Sequence, residues 1–500
     1  MRLLSVIALF LAFSTNLIAQ PVDTKAVDRV MQSLIKSWNV PGAAVAVVKN
    51  DRVVYVSGYG TKEVGGTDPV TPDTLFQIAS TSKAFTSTAL AMLAGEKKLA
   101  FDDPVKTYVP YFRLSDMCAD AQVTIRDIVS HRTGAARRDE LWDNTPLTRE
   151  DVIRAIGQID MARPFRSGYG YHNIMFIAAG EVVANASGVP WDDFVRDRIF
   201  VPLNMTRTVT SDEAWNASTD RATGYRFDAK TNRIWPQPPI ETKTLGAGGA
   251  IKSSARDMAN WIRFQLANGA FELRQLIDPA MLEETRQPHT VIRIESSTRD
   301  SHPETNVMSY AMGWVVQDYR GEQVISHSGA LNGFRTQVVL LPRRGIGFVI
   351  LTNLGRGTAL VAARYSLIDL LSTKTGRDWN AYYQMIEAKE TAKEQKEREE
   401  RLAKRIPDTT PTHALDKYAG EYENAAYGTA KITSVGGELV FAWSRMTIPL
   451  THVHYDVFHA ESEADWVDED VTFELSPERE IRALRVFGET FQRRTPPSRQ

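Results

Sequence analysis

"PGAAVAVVKNDRVVYVSGYG" (residues 41–60) sets two β-branched runs on either side of the turn-forming pair Asn50-Asp51, which predicts a β-hairpin. Three further strand-like segments come much later: "QVISHSG" (323–329), "RTQVVLLP" (335–342) and "GIGFVILTN" (345–353), joined by short polar or glycine-bearing turns. Between the two groups the hydrophobic spacing turns helical, as over 82–99, 149–158 and 255–266. Early strands, a helical middle and late strands predict an α+β fold. Its antiparallel sheet would bring the first and last parts of the chain together around a helical region.

At 500 residues the chain exceeds what one hydrophobic core usually serves, so one large domain and at least one smaller one are expected. Its 59 basic and 61 acidic residues leave a formal charge of −2, which gives no sign of nucleic acid or an anionic membrane surface as the main partner. The start, "MRLLSVIALFLAFSTNLIAQPVD", has one positive charge at Arg2, an apolar stretch from Leu3 to Phe13 and a small residue at Ala19. That stretch is too short to span a bilayer comfortably and predicts a secretion signal over 1–19. The mature protein is then expected in a periplasm or outside the cell, with no stable membrane insertion. Cys118 is the only cysteine, so no intrachain disulfide can form, and a lone thiol is expected as a small buried hydrophobe.

From Ala381 the texture changes. "IEAKETAKEQKEREERLAKR" (386–405) is almost entirely charged or helix-favouring and predicts a solvated helical linker, ended by the prolines of "IPDTTPT" (406–412). After it, "KYAGEYENAAYGTAKITSVGGELVFAW" (417–443), "DVTFELS" (470–476) and "IRALRVFG" (481–488) are short alternating segments, which suggest a small antiparallel barrel.

The chemistry centres on "FQIASTSKAF" (76–85), where Ser80 precedes Lys83 by three residues in an otherwise small, apolar run. A serine hydroxyl is a weak nucleophile until a neighbouring base accepts its proton. Residues three apart share a helix face, so Lys83 would lie alongside Ser80 if a helix begins at about Ser80. The spacing alone is weak, since "SLIK" (33–36) matches it too, with Ser33 and Lys36 read on the wet face of an amphipathic helix. Two further patterns add weight: "YGYHN" (169–173) holds Tyr171 and Asn173, and "SHSGALNGF" (326–334) holds His327, Ser328 and Gly329.

Together these resemble the three motifs of serine β-lactamases and penicillin-recognising enzymes, specifically the class C-like branch that includes esterases and D-aminopeptidases. The likeness extends to "VTIRDIVSHRTGA" (123–135), "LGAGGAIKSSARDMANW" (245–261) and "AMGWVVQ" (311–317). The resemblance implies a β-lactamase-like sheet flanked by helices, and a lipocalin-like barrel at the C-terminus. The expected layout is a hydrolase domain over 22–380, the linker over 381–410 and the barrel over 411–497. It also implies that Ser80 is the acylated nucleophile, with Lys83 lowering its proton affinity. Tyr171 would be the base that passes the proton to the leaving group, and Asn173 would bind the substrate. His327 and Gly329 would stand on the strand edge lining the pocket. The backbone amides of Ser80 and Ala330 would meet the oxyanion, a contact worth roughly 3 kcal/mol per donor.

One departure bears on substrate. The penicillin-binding branch has lysine where this chain has His327, and histidine is mostly neutral near pH 7, so it offers a β-lactam carboxylate no fixed charge. The literal "KTG" at 374–376 follows the last strand and reads as a helix end.

Other candidates are read as structural. His452, His454 and His459 lack the cysteines or spaced carboxylates of a zinc site, and no cofactor or metal is expected. His131 is read as holding a loop, Arg132 as a solvated charge, and His172 as pointing away from Tyr171. No Gly-X-Ser-X-Gly elbow or phosphate loop occurs. The expectation is a secreted serine hydrolase acting on a small amide, peptide or ester. A class C-like β-lactamase and a non-catalytic peptidoglycan- or penicillin-binding protein are the alternatives.

Overall fold

The structure, a computed structural model, describes residues 22–494 apart from 144, 230, 375 and 463–466. The stretch read as a secretion signal lies outside the described residues.

The 41–60 hairpin forms as β1 (Gly42–Lys49) and β2 (Arg52–Gly60). Asn50 and Asp51 both adopt left-handed backbone, with φ of 48° and 59°, the conformation that lets a two-residue turn follow the strand twist. The rest of the sheet comes from β3 (Thr290–Val291), β4 (Met308–Tyr310), β5 (Val315–Tyr319), β6 (Glu322–Leu331), β7 (Phe334–Leu341) and β8 (Ile346–Thr352). The order is β2-β1-β8-β7-β6-β5-β4-β3, antiparallel throughout, so the first hairpin closes against the last strand.

β1 is buried on both faces, and the period of two divides its side chains between two cores. Ala43, Val45 and Val47 face one cluster, with α1 (Thr24–Trp38) and its neighbours, while Ala44, Ala46 and Val48 face the other, within the helical body. At the centre of that body lie the apolar helices α2 (Ser82–Gly95) and α3 (Asn173–Ser187), packed on each other, while α4 (Ala255–Leu266) packs on β1 and β8 and stacks Trp261 on Phe85 of α2. α5 (Gly357–Leu371) packs beside α1.

The charged helix forms as α6 (Trp379–Ala403). It starts inside the α+β body, because Trp379, Tyr383 and Ile386 are buried and Tyr365 stacks on Trp379 at 4.9 Å. Eight antiparallel strands between Gly420 and Arg493 then close a barrel, with Tyr422 paired to Arg493 at the seam. Its interior is filled by side chains such as Tyr422, Phe441, Phe473 and Phe491, and its core runs on into that of the body.

Two local readings are corrected. Cys118 is exposed, because the short helix Met117–Gln122 turns only Ala119 inward. Arg132 is no solvated charge: its Nε donates to the fully buried Asp127 carboxylate at 2.5 Å, which Arg166 also meets at 2.7 Å. A carboxylate taken out of water needs such partners. Among the described residues no single helix is long and apolar enough to cross a membrane.

Candidate active site

Ser80 lies in a short 3-10 turn, Ala79–Thr81, that runs directly into α2, so Lys83 sits one turn along on the same face. The residue before the serine, Ala79, has φ of 50°, a left-handed conformation costing an alanine roughly 1 kcal/mol. The turn is held in place from outside: β6 crosses so close that a Cβ on Gly329 would lie 2.2 Å from the Ile78 carbonyl oxygen. Only glycine permits that approach, and it brings the strand bearing His327 and Ala330 against the serine turn.

Two side chains converge on Ser80. Lys83 Nζ lies 3.0 Å from Ser80 Oγ, and Tyr171 Oη donates to the same oxygen at 2.7 Å. Lys83 also donates to Asn173 Oδ1 at 2.7 Å and to the Gly248 carbonyl at 2.6 Å, so the glycine-rich stretch 245–250 forms part of its socket. Asn173 is the first residue of α3 and Tyr171 stands in the extended segment before it, which is why both reach the same helix end. Burial pushes the Lys83 ammonium well below the usual lysine range, opposed by Asp139, and pushes the Tyr171 phenol up, so the phenol stays protonated.

Ser80, Tyr171, Asn173, His327 and Ala330 line one cavity of about 510 Å³. Gly329 is buried and acts through the close approach described above. His327 Nδ1 faces the Ser328 carbonyl at 2.6 Å and must donate there, leaving Nε2 to accept from Tyr310 Oη at 3.0 Å. Burial lowers the His327 pKa to about 3, so the imidazole is neutral. His131 holds its loop: Nδ1 accepts the His172 amide at 3.2 Å, and its ring packs 4.4 Å from that of Tyr171. His172 turns away and donates to the Ala136 carbonyl at 2.8 Å.

Several pocket residues escaped the sequence reading. Asp139 accepts from Asn173 Nδ2 at 3.0 Å and from Trp142 Nε1 at 2.8 Å, while Arg137 Nε donates to its other oxygen at 2.6 Å. Burial alone would raise this carboxyl, yet Arg137 and these donors hold it below the usual range. The signal was "GAARRDELWD" (134–143), a charged cluster next to the family-like 123–135 stretch. Tyr310 and Arg335 also line the cavity. The Arg335 guanidinium donates to the backbone carbonyls of Leu331 and Phe334, at 3.2 and 2.8 Å, and meets no carboxylate among the described residues.

The barrel histidines do not converge. A bulge separates His452 from His454, His459 meets Asp470 at 2.8 Å, and His452 meets the Tyr455 carbonyl at 2.9 Å. Lys374 follows the end of α5, where Thr373 turns left-handed. Ser33 and Lys36 sit on α1, where Ser33 Oγ accepts from Asn380 Nδ2 at 2.9 Å.

Comparison with known proteins gives the family and the fold. A family model described as Beta-lactamase matches residues 27–371, and one described as a domain of unknown function (DUF3471) matches 404–495. An unguisins hydrolase of Aspergillus campestris is 30% identical over 429 residues, covering 81% of this chain and 77% of that protein. Protein flp of Staphylococcus aureus is 27% identical over 338 residues, covering 66% of this chain and 62% of its own length. The octameric penicillin-binding protein homologue from Pyrococcus abyssi superposes with a TM-score of 0.63 at 21% identity, over 94% of this chain and 99% of that one, which shows a shared fold. On the family match and the extent of the alignment, this chain belongs to the beta-lactamase family and is a hydrolase of that fold with a closed C-terminal barrel.

Proposed function

We propose that the protein hydrolyses amide or ester bonds of small peptides or carboxylic esters through an acyl-enzyme on Ser80, and that it does so after export. The observation that carries this reading is the placement of Ser80 Oγ between Lys83 Nζ at 3.0 Å and Tyr171 Oη at 2.7 Å. Deprotonated Lys83 has two N–H bonds, which suit Asn173 Oδ1 and Gly248 O, and one lone pair left to face Ser80. Ser80 then attacks the carbonyl while its proton passes to Lys83, and the backbone amides of Ser80 and Ala330 meet the oxyanion. Tyr171 gives its phenolic proton to the leaving group as the intermediate collapses, and the Lys83 ammonium restores it. Water completes the cycle by the reverse path.

A peptide is favoured over a simple ester by the polar side chains that line the cavity, among them Arg137, Asp139, Asn332 and Arg335. Arg335, which meets no carboxylate among the described residues, suits a substrate carrying a free carboxylate. The β-lactamase alternative is weakened by the neutral His327. The secretion reading rests on the apolar stretch from Leu3 to Phe13. Intact-protein mass after brief exposure to a fluorophosphonate, with turnover of p-nitrophenyl acetate, D-alanine p-nitroanilide and nitrocefin, tests the proposal. It expects one adduct, lost in Ser80→Ala, and ester or anilide turnover outpacing nitrocefin. Absence of both adduct and turnover would leave a binding protein.

A further inference from the structure

The turn that carries Asp139 is gripped from its other side by the barrel. Along Arg137–Glu140 the side chains alternate in destination: Arg137 and Asp139 reach the active site, whereas Arg138 and Glu140 reach the barrel. Arg138 donates through Nη2 and Nε to Glu489 Oε1, at 2.9 and 3.3 Å. The Glu140 carboxylate accepts from Tyr427 Oη.

Both barrel residues are rigidly mounted. Tyr427 is only 4% exposed, its ring stacks on Phe487 at 5.9 Å, and its carbonyl accepts from Trp443 Nε1 at 2.8 Å. Glu489 opens the last barrel strand, beside the turn whose Gly488 would place a Cβ 3.5 Å from Arg138 Nη2. Closure of the barrel puts these two hairpin ends side by side, with Asn424 Nδ2 donating to the Thr490 carbonyl at 3.0 Å. None of the described barrel residues lines the cavity at Ser80, so the barrel acts on the chemistry indirectly: through this turn, and through Arg445 Nη1 on Glu241 at 3.0 Å, next to the cavity residue Ile240.

We infer that Tyr427 and Glu489 are positioning residues for hydrolysis: the barrel fixes the 137–140 turn, Asp139 on that turn fixes Asn173, and Asn173 fixes Lys83 against Ser80. This rests on the hydrolase reading above. Each link is a hydrogen bond or ion pair: Tyr427 on Glu140, Arg138 on Glu489 at 2.9 Å, Asn173 on Asp139 at 3.0 Å and Lys83 on Asn173 at 2.7 Å. A chain of directed polar contacts transmits small displacements, and a misplacement of about 1 Å from a remote change can cost about a hundredfold in rate.

The test uses the full-length protein and two readouts at Ser80, the kcat for p-nitrophenyl acetate and the rate of fluorophosphonate adduct formation. Tyr427→Phe and Glu489→Gln are each expected to lower both about threefold to tenfold with KM little changed, and the double variant more than either. Arg138→Glu and Glu489→Arg should each be slow, and the two together should recover most of the loss, because the ion pair re-forms with its polarity reversed. Arg401→Ala, which removes a contact between α6 and the barrel residue Asp468 that does not touch the turn, should leave both rates unchanged. Melting temperatures identify plain loss of stability. The inference is overturned if the Tyr427 and Glu489 variants keep wild-type rates. It is also overturned if the charge exchange gives no recovery, or if Arg401→Ala slows the enzyme as much. A wild-type protein that forms no adduct at Ser80 would instead bring down the hydrolase reading itself.

Discussion

Lys83 and Lys252 are both fully buried, yet only Lys252 bonds a carboxylate: its Nζ meets Asp212 Oδ1 at 2.6 Å, whereas Lys83 bonds the neutral oxygens of Ser80, Asn173 and Gly248. A carboxylate partner repays part of the cost of burying an ammonium, and neutral acceptors repay less of it. The fold therefore keeps one buried lysine for structure and leaves the other ready to give up its proton.

The pH dependence follows from the direction of that shift. Burial lowers the Lys83 pKa well below its ordinary value, so kcat/KM should rise with pH through the lowered pKa and then level off, with the acid limb below the usual lysine range. Lys83→Arg, which cannot deprotonate, should lose about 10³-fold. Stability carries the same sign. The unfolded chain binds a proton at Lys83 that the folded chain does not, so wild-type stability relative to Lys83→Met should rise with pH, by about 1.4 kcal/mol per unit, up to the ordinary lysine pKa. Denaturant melts of both proteins between pH 6 and 11 check this, and a flat difference would mean that Lys83 stays charged when folded.

Asp139→Asn keeps an acceptor for Trp142 and Asn173 but leaves Arg137 without its carboxylate. Activity should fall about tenfold or more, as expected when a supporting hydrogen-bond partner of an active-site group is lost. The acid limb should also move down, because the negative charge that raises the Lys83 pKa is gone. A profile unmoved from wild type would separate Asp139 from Lys83.

The α+β fold was legible because its decisive segments are local. The Asn50-Asp51 turn and the β-branched runs at 323–329, 335–342 and 345–353 form strands within two residues of their expected limits. Ser80, Lys83, Tyr171 and Asn173 were legible through short motifs. Asp139 and Tyr310 were not, since their roles arise from contacts across 34 and 17 residues that no local pattern encodes, and Arg335 was not, since its place on the cavity depends on the distant segments that close it. Cys118 and Arg132 were misread for the same reason. A side chain's burial depends on what the rest of the chain lays over it, and Arg132 is claimed by a buried carboxylate.

β-Lactam acylation should be slow and should not rise as pH falls from 8 to 5, because a His327 with pKa about 3 gains no charge in that range. Nitrocefin turnover against pH checks this. A rise in acylation as pH falls toward 5 would show that His327 does protonate. Tyr310→Phe removes the hydroxyl that Nε2 accepts and should change the rates only about threefold, the worth of one neutral hydrogen bond.

Arg335 should discriminate among substrates. If it receives a free carboxylate, Arg335→Ala should lower kcat/KM for a carboxylate-bearing peptide by about tenfold to a hundredfold, within the range for a charge-assisted hydrogen bond, and spare its C-terminal amide. Burial lowers the Arg335 pKa only to about 10, so the charge persists throughout the assay range. Equal losses on both substrates would assign Arg335 to bracing the Leu331–Phe334 turn.

Gly329→Ala probes how β6 seats the nucleophile. The new Cβ would lie 2.2 Å from the Ile78 carbonyl oxygen and 3.2 Å from Ala79 Cβ, and the first is backbone, which cannot rotate aside. Either β6 or the turn before Ser80 must shift, and both carry proposed oxyanion amides, at Ala330 and Ser80. Overpacking of this kind costs about 1–3 kcal/mol, a fraction of the stability of a typical domain, so the variant should still fold at 25 °C. Its kcat and its rate of fluorophosphonate adduct formation should both fall about a hundredfold, since a misplacement near 1 Å suffices for that. A folded Gly329→Ala protein with wild-type rates would mean that the crossing of β6 over Ile78 does not set the position of Ser80, and that the left-handed Ala79 is held by α2 alone.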